Sequence, residues 1–267
     1  MTPFDYVQVQ AWVREAGQIA LGHYQTQLTR HQKQDYSPVT VADKAVEDFI
    51  IGKIEQTYGW RNCGLIAEES GGDWLGKEFV WAIDPIDGTR VFIDGLPLWC
   101  ISIGLLRYGE PYRGVVYLPT VGEVYYTNNQ GVPFWNDRPL TGLLRTSWNR
   151  DSFICVPSSA HRHFEIDFRR LRALGAIATH HVYVARGASV AALHREAKVW
   201  DLAGAHAILS AAGGVASYLD GRAFSLAEIL SNHDKMCQQP ILVGHPVMLE
   251  ELLPRIKVRP ATALPVQ

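Results

Sequence analysis

The chain has 267 residues, 47% of them hydrophobic and 19% charged, with a formal net charge of −2. That is enough chain for one large domain, or two intimately packed halves, with a core that needs no disulfides. No basic run marks a nucleic-acid partner and no apolar run nears the ~20 residues that span a bilayer, while MTPFDYVQVQ lacks the basic start and apolar core of a signal peptide, so a cytoplasmic protein without a membrane partner is expected.

Val9, Trp12, Val13, Ala16, Ile19 and Ala20 recur at helical spacing, so the chain opens with a helix, for which Thr2 is the expected cap and Pro3 suits the first turn. The polar stretch from Lys33 to Pro38 reads as a loop. Thr40 starts a second helix, with Asp43 as its capping-box partner and Ala42, Val46, Phe49, Ile50 and Ile54 on its apolar face. Past Gly59 the pattern changes. Leu65-Ile66-Ala67 stops at Glu68-Glu69-Ser70, and the apolar run 79–83 stops at Asp84, so both read as buried strands that end in acidic loops. Strands are expected at 101–106, 115–118 and 124–127, with turns at Tyr108-Gly109-Glu110-Pro111 and Asn128-Asn129.

The second half mixes both elements. Strands are expected at 152–156, 189–193 and 241–243, and helices at 164–174, 177–186 and 246–256. Asp201 stands where a cap belongs, before a helix over 202–212 that Gly213-Gly214 closes. Such interleaving argues for a layered α/β architecture. We expect one domain over 1–258, with halves near 1–145 and 146–258, and a disordered tail over 259–267.

The chemistry begins at Asp84-Pro85-Ile86-Asp87-Gly88-Thr89. An apolar strand delivers two carboxylates to one loop, Pro85 restrains the backbone between them, and Gly88 permits close approach to a ligand. Hard cations such as Mg²⁺ take carboxylate and carbonyl oxygens together with substrate phosphate. Asp84, Asp87 and the Ile86 carbonyl have that character, although an Asp-rich turn bonding its own backbone is a plainer alternative. Glu68-Glu69 at a strand end is costly to bury unless a cation is present; a solvated turn is the alternative. Asp201, in Trp200-Asp201-Leu202-Ala203-Gly204, is by itself an ordinary capping residue, and Gly204 lets its helix pack closely on a neighbour. Cys63, Cys100, Cys155 and Cys237 form no CxxC pair and are expected as reduced, buried thiols. His161, His163, His180 and His181 show no zinc-ligand spacing.

Taken together and in order, the Glu-Glu strand end, Asp84 to Thr89, and Trp200 to Gly204 resemble the inositol monophosphatase family of Mg²⁺-dependent, lithium-sensitive phosphatases. Lys33, Ser37 to Thr40 with Asp43, Leu174-Gly175 and Val184 to Gly187 fit the same pattern, and the resemblance runs from about residue 5 to about 256. It implies an α/β/α/β/α sandwich and often a homodimer. It implies one Mg²⁺ on Glu68, Asp84 and the Ile86 carbonyl, a second on Asp84, Asp87 and Asp201, and a weaker third near Glu68. Asp43 and Thr89 would orient the attacking water, Gly88 and Thr89 would contact the phosphate, and Glu69 would support Glu68 from behind. Metal-activated water needs no serine or cysteine nucleophile, because positioning and charge neutralisation dominate phosphoryl transfer.

Departures bear on the substrate. Inositol-specific relatives carry an acidic residue seven places before the Trp-Asp aspartate to contact sugar hydroxyls; here it is His194. Ala176 stands where relatives often have a small hydroxyl residue. Arg90 and Arg195, if they face the cleft, would favour a more acidic substrate. Histidinol phosphate and fructose 1,6-bisphosphate therefore rival inositol 1-phosphate. Splitting of 3′-phosphoadenosine phosphates is disfavoured by the run Gly88 to Ile93 followed by Gly95-Leu96-Pro97. A non-catalytic metal-binding or interaction protein is the alternative from another class, and the acidic residue at every expected side-chain ligand position speaks against it.

Overall fold

The computed structural model describes residues 2–25, 31–32, 38–61, 63–232 and 234–260. Lys33, Ser37 and most of the expected loop lie outside these residues, as does 261–267 of the expected tail.

Helices α1 (Tyr6–His23) and α2 (Val41–Tyr58) come first, with the short ladder of β1 (His31–Gln32) and β2 (Pro38–Val39) between them. Next are β3 (Cys63–Ala67), β4 (Phe79–Asp87), the one-turn helix α3 (Thr89–Ile93), β5 (Cys100–Arg107), β6 (Glu110–Leu118), β7 (Glu123–Thr127), β8 (Pro133–Trp135) and β9 (Arg138–Pro139). These strands form one seven-stranded sheet in sequence order, antiparallel except for the parallel pair β3 and β4. The second half holds β10 (Ile154–Cys155), α4 (Ala160–His163), β11 (Phe164–Ile166), β12 (Leu171–Arg172), α5 (Ile177–Ala185), β13 (Ala191–His194), β14 (Ala197–Lys198), α6 (Val199–Ala211), β15 (Val215–Tyr218), α7 (Leu226–Ser231), β16 (Met236–Cys237), β17 (Ile241–Gly244), α8 (Pro246–Leu252) and β18 (Ile256–Val258). Its main sheet has five strands in the order β12-β10-β13-β17-β15.

Three apolar cores join five layers. Val13 and Ala16 of α1 and Val46 and Ile50 of α2 pack on Trp81 and Ile103 of the first sheet. The opposite face of that sheet, α5, α6 and one face of the second sheet share a core that includes Val116, Val182, Ile208 and Val243. Leu193 and Leu242, on the outer face of the second sheet, meet Met248 and Leu252 of α8. This is the expected α/β/α/β/α sandwich. Among the described residues no helix is long and apolar enough to cross a membrane. All four cysteines are free and buried, as expected.

Close approach at α6 positions the functional residues. Gly204 lies against β5 and β6, where a Cβ would stand 2.7 Å from the Ile103 carbonyl oxygen; one on Gly104 would stand 2.6 Å from the Gly204 nitrogen. A Cβ on Gly114 would collide with the Gly204 carbonyl. The helix thus rests on the sheet by its backbone, as the small residues after Asp201 suggested.

Several expectations need correction. Asp5, not Thr2, caps α1: its carboxylate accepts the Val7 N–H at 2.9 Å. Residues 164–174 are not helical. Phe164 is buried and Glu165 exposed, and β11 pairs with β18 while β12 pairs with β10. The last helix stops at Leu252, because Pro254 lacks an N–H to continue it; a 3₁₀ turn (Leu253–Arg255) and β18 follow. Arg259 belongs to the fold rather than to a tail, since its N–H donates to the His163 carbonyl at 2.8 Å. Asp201 is the third residue of α6, not its cap, and accepts the Lys198 N–H at 2.8 Å.

Candidate active site

The parallel register of β3 and β4, with Ala67 beside Ile83, brings Glu68 next to Asp84 where the pairing of the two strands ends; β4 itself runs on to Asp87, past the expected stop at Asp84. The pairing of β4 with β5 slips between Asp84 and Asp87, so the chain bulges where Pro85 and Ile86 stand. Asp84 Oδ1 accepts the Ile86 N–H at 3.1 Å, which folds the loop over its own carboxylate. The turn bond foreseen in an Asp-rich loop is therefore present, but it leaves Asp84 Oδ2 outside it. Asp87 faces the second half of the chain and accepts the Ile177 and Ala178 N–H groups at the start of α5, at 3.0 and 2.5 Å. The close packing of Gly204 on β5 and β6 brings in α6 and with it Asp201.

The carboxylates feel one another. Burial raises the pKa of Asp84 well above the ordinary carboxylate range, and the charges of Glu68, Asp87 and Asp201 raise it further. Asp201 is half-buried and closely surrounded; desolvation followed by Asp87 and Glu68 raises it well above the usual value, against a partial offset from Lys198. Desolvation lifts Asp87 to about 7 in spite of its two amide donors. Such a cluster is a poor resting state for anions in a protein and a good one for a cation. Among the described residues no three acidic, histidine or cysteine side chains already form a closed ion cage. The donor set is nevertheless hard oxygen, and Mg²⁺ usually keeps several waters and is held by few carboxylates plus phosphate rather than by an all-protein cage.

On the other side of the loop stands the capping box of α2. Asp43 Oδ2 accepts the Thr40 N–H at 2.8 Å and the Thr40 hydroxyl at 2.6 Å. Its Oδ1 lies 3.4 Å from the Thr89 hydroxyl, which also donates to the Ile86 carbonyl at 3.1 Å. Burial pushes Asp43 up to about 6, with the Thr40 bonds opposing the rise. Gly88 has φ of 88°, and a Cβ there would come within 3.1 Å of the Ala176 side chain, so this turn requires glycine. Sequence reasoning missed Glu47. This residue is fully buried one turn after Asp43, and its Oε2 accepts the Glu69 N–H at 2.8 Å.

A cavity of about 240 Å³ opens beside Gly175, Ala176 and Ile177 and is walled by His180, His194 and Arg195. His194 thus lines this cavity, 2% exposed, rather than lying on the outer surface. Its ring lies 5.6 Å from that of His180 and 4.9 Å from that of His181, and His206 stands 5.8 Å from His181. Burial holds all four neutral, lowering His180 and His206 to about 4, His181 to about 3 and His194 well below the ordinary value. Arg195 pairs with Glu196 at 2.5 Å, and Arg90 is exposed on α3. A larger cavity, about 800 Å³, lies at the opposite ends of β3 and β4; its one carboxylate, Glu78, is paired with Arg107 at 3.0 Å.

The model of the inositol monophosphatase family matches residues 1–253. The chain belongs to the inositol monophosphatase family. It is 34% identical to inositol monophosphatase 3 of Solanum lycopersicum over 80% of this chain and 85% of the relative. It is 31% identical to the histidinol-phosphatase of Chlorobaculum parvum, over 83% and 88% respectively. The crystal structure of inositol-monophosphate-bound SaIMPase-II shares the fold with a TM-score of 0.72 at 29% identity, covering 93% of this chain and 92% of that one. Family membership makes the chain a phosphatase, a phosphoric monoester hydrolase.

Proposed function

We propose that this phosphatase hydrolyses a small phosphomonoester of an uncharged alcohol, with Mg²⁺ held by Glu68, Asp84, Asp87, Asp201 and the Ile86 carbonyl. The observation that carries the metal reading is the cluster itself: carboxylates from β3, β4 and α6 whose shared desolvation and repulsion favour a cation. When bound, the ions would supply charge neutralisation for the phosphate and a lowered pKa for water, with a third ion near Glu68 in this reading. Thr89 and Asp43 would take the proton side of the chemistry. The hydroxyl bridges from the Asp84 loop toward a carboxyl held near pH 6, within the range where a proton can be accepted at neutral pH. The phosphate would lie against Gly88 and Thr89, with the alcohol in the histidine-walled cavity.

The walls of that cavity support an uncharged alcohol. His180 Nε2 accepts the Leu174 N–H at 3.2 Å, so the neutral ring carries its proton on Nδ1, which is buried without a partner. His194 Nε2 is also buried without a partner. Neutral rings place no charge opposite a substrate in this cavity, which suits an alcohol that carries none. Arg195, already paired with Glu196, is poorly placed to receive a second phosphate, and Glu196 an ammonium group. This favours a polyol such as inositol over fructose 1,6-bisphosphate or histidinol phosphate. The family resemblance extends the proposal to a cytoplasmic, lithium-sensitive homodimer.

The test is phosphate release from inositol 1-phosphate, histidinol phosphate and fructose 1,6-bisphosphate, with Mg²⁺ and with a chelator. The reading expects release only with the ion and the highest kcat/KM for the inositol ester. Equal release with the chelator removes the metal assignment; preference for either charged substrate removes the assignment of the alcohol.

A further inference from the structure

Glu47 is a buried carboxylate that the proposed chemistry leaves unused. It sits on α2 four residues after Asp43, so both side chains share one face of the helix. Its side chain is fully buried, with Oε2 at 2.8 Å from the Glu69 nitrogen and Oε1 without a hydrogen-bond partner. A buried acidic side chain with one hydrogen-bond donor is unfavourable compared with an apolar one, so its presence calls for something it does in return. A glutamate in a helix next to Asp48 otherwise reads as part of a solvated face.

The Glu69 N–H belongs to a tight turn. The Ala67 N–H donates to the Gly71 carbonyl at 2.8 Å and the Gly71 N–H returns to the Ala67 carbonyl at 3.0 Å, while the Glu68 N–H is tied to the Ile83 carbonyl at 3.2 Å. These bonds close the base of the turn and fix its entry. The outer corner, at Glu69, is tied to α2 through the Glu47 carboxyl oxygen. Rotation of that corner would swing the Glu68 side chain relative to Asp84.

We propose that Glu47 is a positioning residue: through the Glu69 N–H it clamps the turn that carries Glu68 onto α2, and so sets the geometry of the carboxylate cluster for its cation. This rests on the metal reading above. Removing a partner that orients a ligand lowers metal affinity by about 10–100-fold in well-studied sites, while a packing residue changes stability without that loss.

Two conservative variants separate reach from the carboxyl group itself. Glu47→Gln keeps the length of the side chain and an oxygen that can accept the Glu69 N–H, and replaces the carboxyl group by an amide. Glu47→Asp keeps the carboxyl group and is one methylene too short. Calorimetric titration with Mg²⁺ alone, paired with thermal unfolding to show that each variant is folded, reads the effect without any substrate. Glu47→Gln should bind Mg²⁺ nearly as wild type does, and Glu47→Asp about 10–100-fold more weakly. With inositol 1-phosphate, Glu47→Asp should need correspondingly more Mg²⁺ for half-maximal turnover and approach the wild-type kcat at saturation. Wild-type affinity in Glu47→Asp overturns the proposal, as does a loss in Glu47→Gln that exceeds the loss in Glu47→Asp. Wild type that binds no Mg²⁺ overturns the metal reading and this inference with it, an outcome distinct from failure of Glu47 alone.

Discussion

Helices α5 and α6 each serve two buried groups of titratable residues, and the two groups solve the problem of burial in opposite ways. At one end, the first amides of α5 bond Asp87 and α6 carries Asp201. Along the same helices, His180 and His181 stack with His194 of β13, and His206 meets His181 edge-on. Burial drives both groups toward neutrality, raising the carboxyls and lowering the imidazoles. The histidines reach neutrality by staying unprotonated near pH 7, whereas the shared charge of the carboxylates can be offset by divalent ions. A buried group that sheds its charge alone is a wall, and a cluster whose charges repel one another is a cation site.

The sharpest way to break this comparison is Asp84→Asn. An amide supplies neither the charge nor the second oxygen anion, so phosphate release should fall by ~10⁴-fold or more. Without Mg²⁺ the variant should melt no lower than wild type, because repulsion within the cluster is relieved. Near-normal turnover would show that the cluster is not the seat of the chemistry.

Thr89→Ala should lower kcat by ~10²–10⁴-fold, the range for losing a group that handles or orients a proton. Mg²⁺ affinity, measured by calorimetry, should stay near wild type, since the hydroxyl touches Asp43 and the Ile86 carbonyl rather than replacing a carboxylate. Loss of Mg²⁺ binding with intact kcat at saturation would move Thr89 from proton handling to ion binding.

The histidine side is tested by pH. His181 has a folded pKa of about 3 against 6.5 for the free side chain. Above pH ~6.5 both folded and unfolded chains hold it neutral and its full contribution to stability is present. As pH falls below that value the unfolded chain takes up a proton that the fold refuses, so stability drops until pH passes the folded pKa. Replacing it by a side chain that does not titrate isolates the effect, because the carboxylate contributions cancel between the two proteins. The stability deficit of His181→Gln should therefore shrink by up to ~1.4 kcal/mol per pH unit as pH falls from 6.5 toward 4. A deficit that stays constant over this window would mean that His181 is not buried in neutral form.

The smallest expected effect concerns what the two groups share. Gly114→Ala pushes a methyl group into the Gly204 carbonyl and should cost ~1–3 kcal/mol in denaturant unfolding. Because α6 carries both Asp201 and His206, the displacement should also weaken Mg²⁺ binding; an effect on stability alone would uncouple helix docking from the site.

Much of the candidate site was legible because its residues are local signals. Glu68 and Asp84 end apolar strands, Asp87 follows within one loop, and Thr40 with Asp43 has the spacing of a capping box, which the structure contains. Glu47 was not legible, because only the fold shows that its oxygen meets the Glu69 amide, 22 residues away in sequence. The histidine group was hidden for the same reason: its members come from α5, β13 and α6, and sequence spacing cannot report a contact made by three elements. Residues 164–174 misled because length and scattered charge imitate a helix, whereas the short strands found there are stabilised by distant partners such as β18. The short strands β8 and β9, the strand β15 and the short helix α7 carry too few residues to show a period.

The account stands most directly on whether the carboxylate cluster takes up a divalent ion. Calorimetric titration of Mg²⁺ into wild type and Asp84→Asn, both shown to be folded by thermal melting, measures this without substrate. Saturable binding by wild type that is lost in Asp84→Asn is the predicted result; equal binding by the two proteins, or none by wild type, would contradict it.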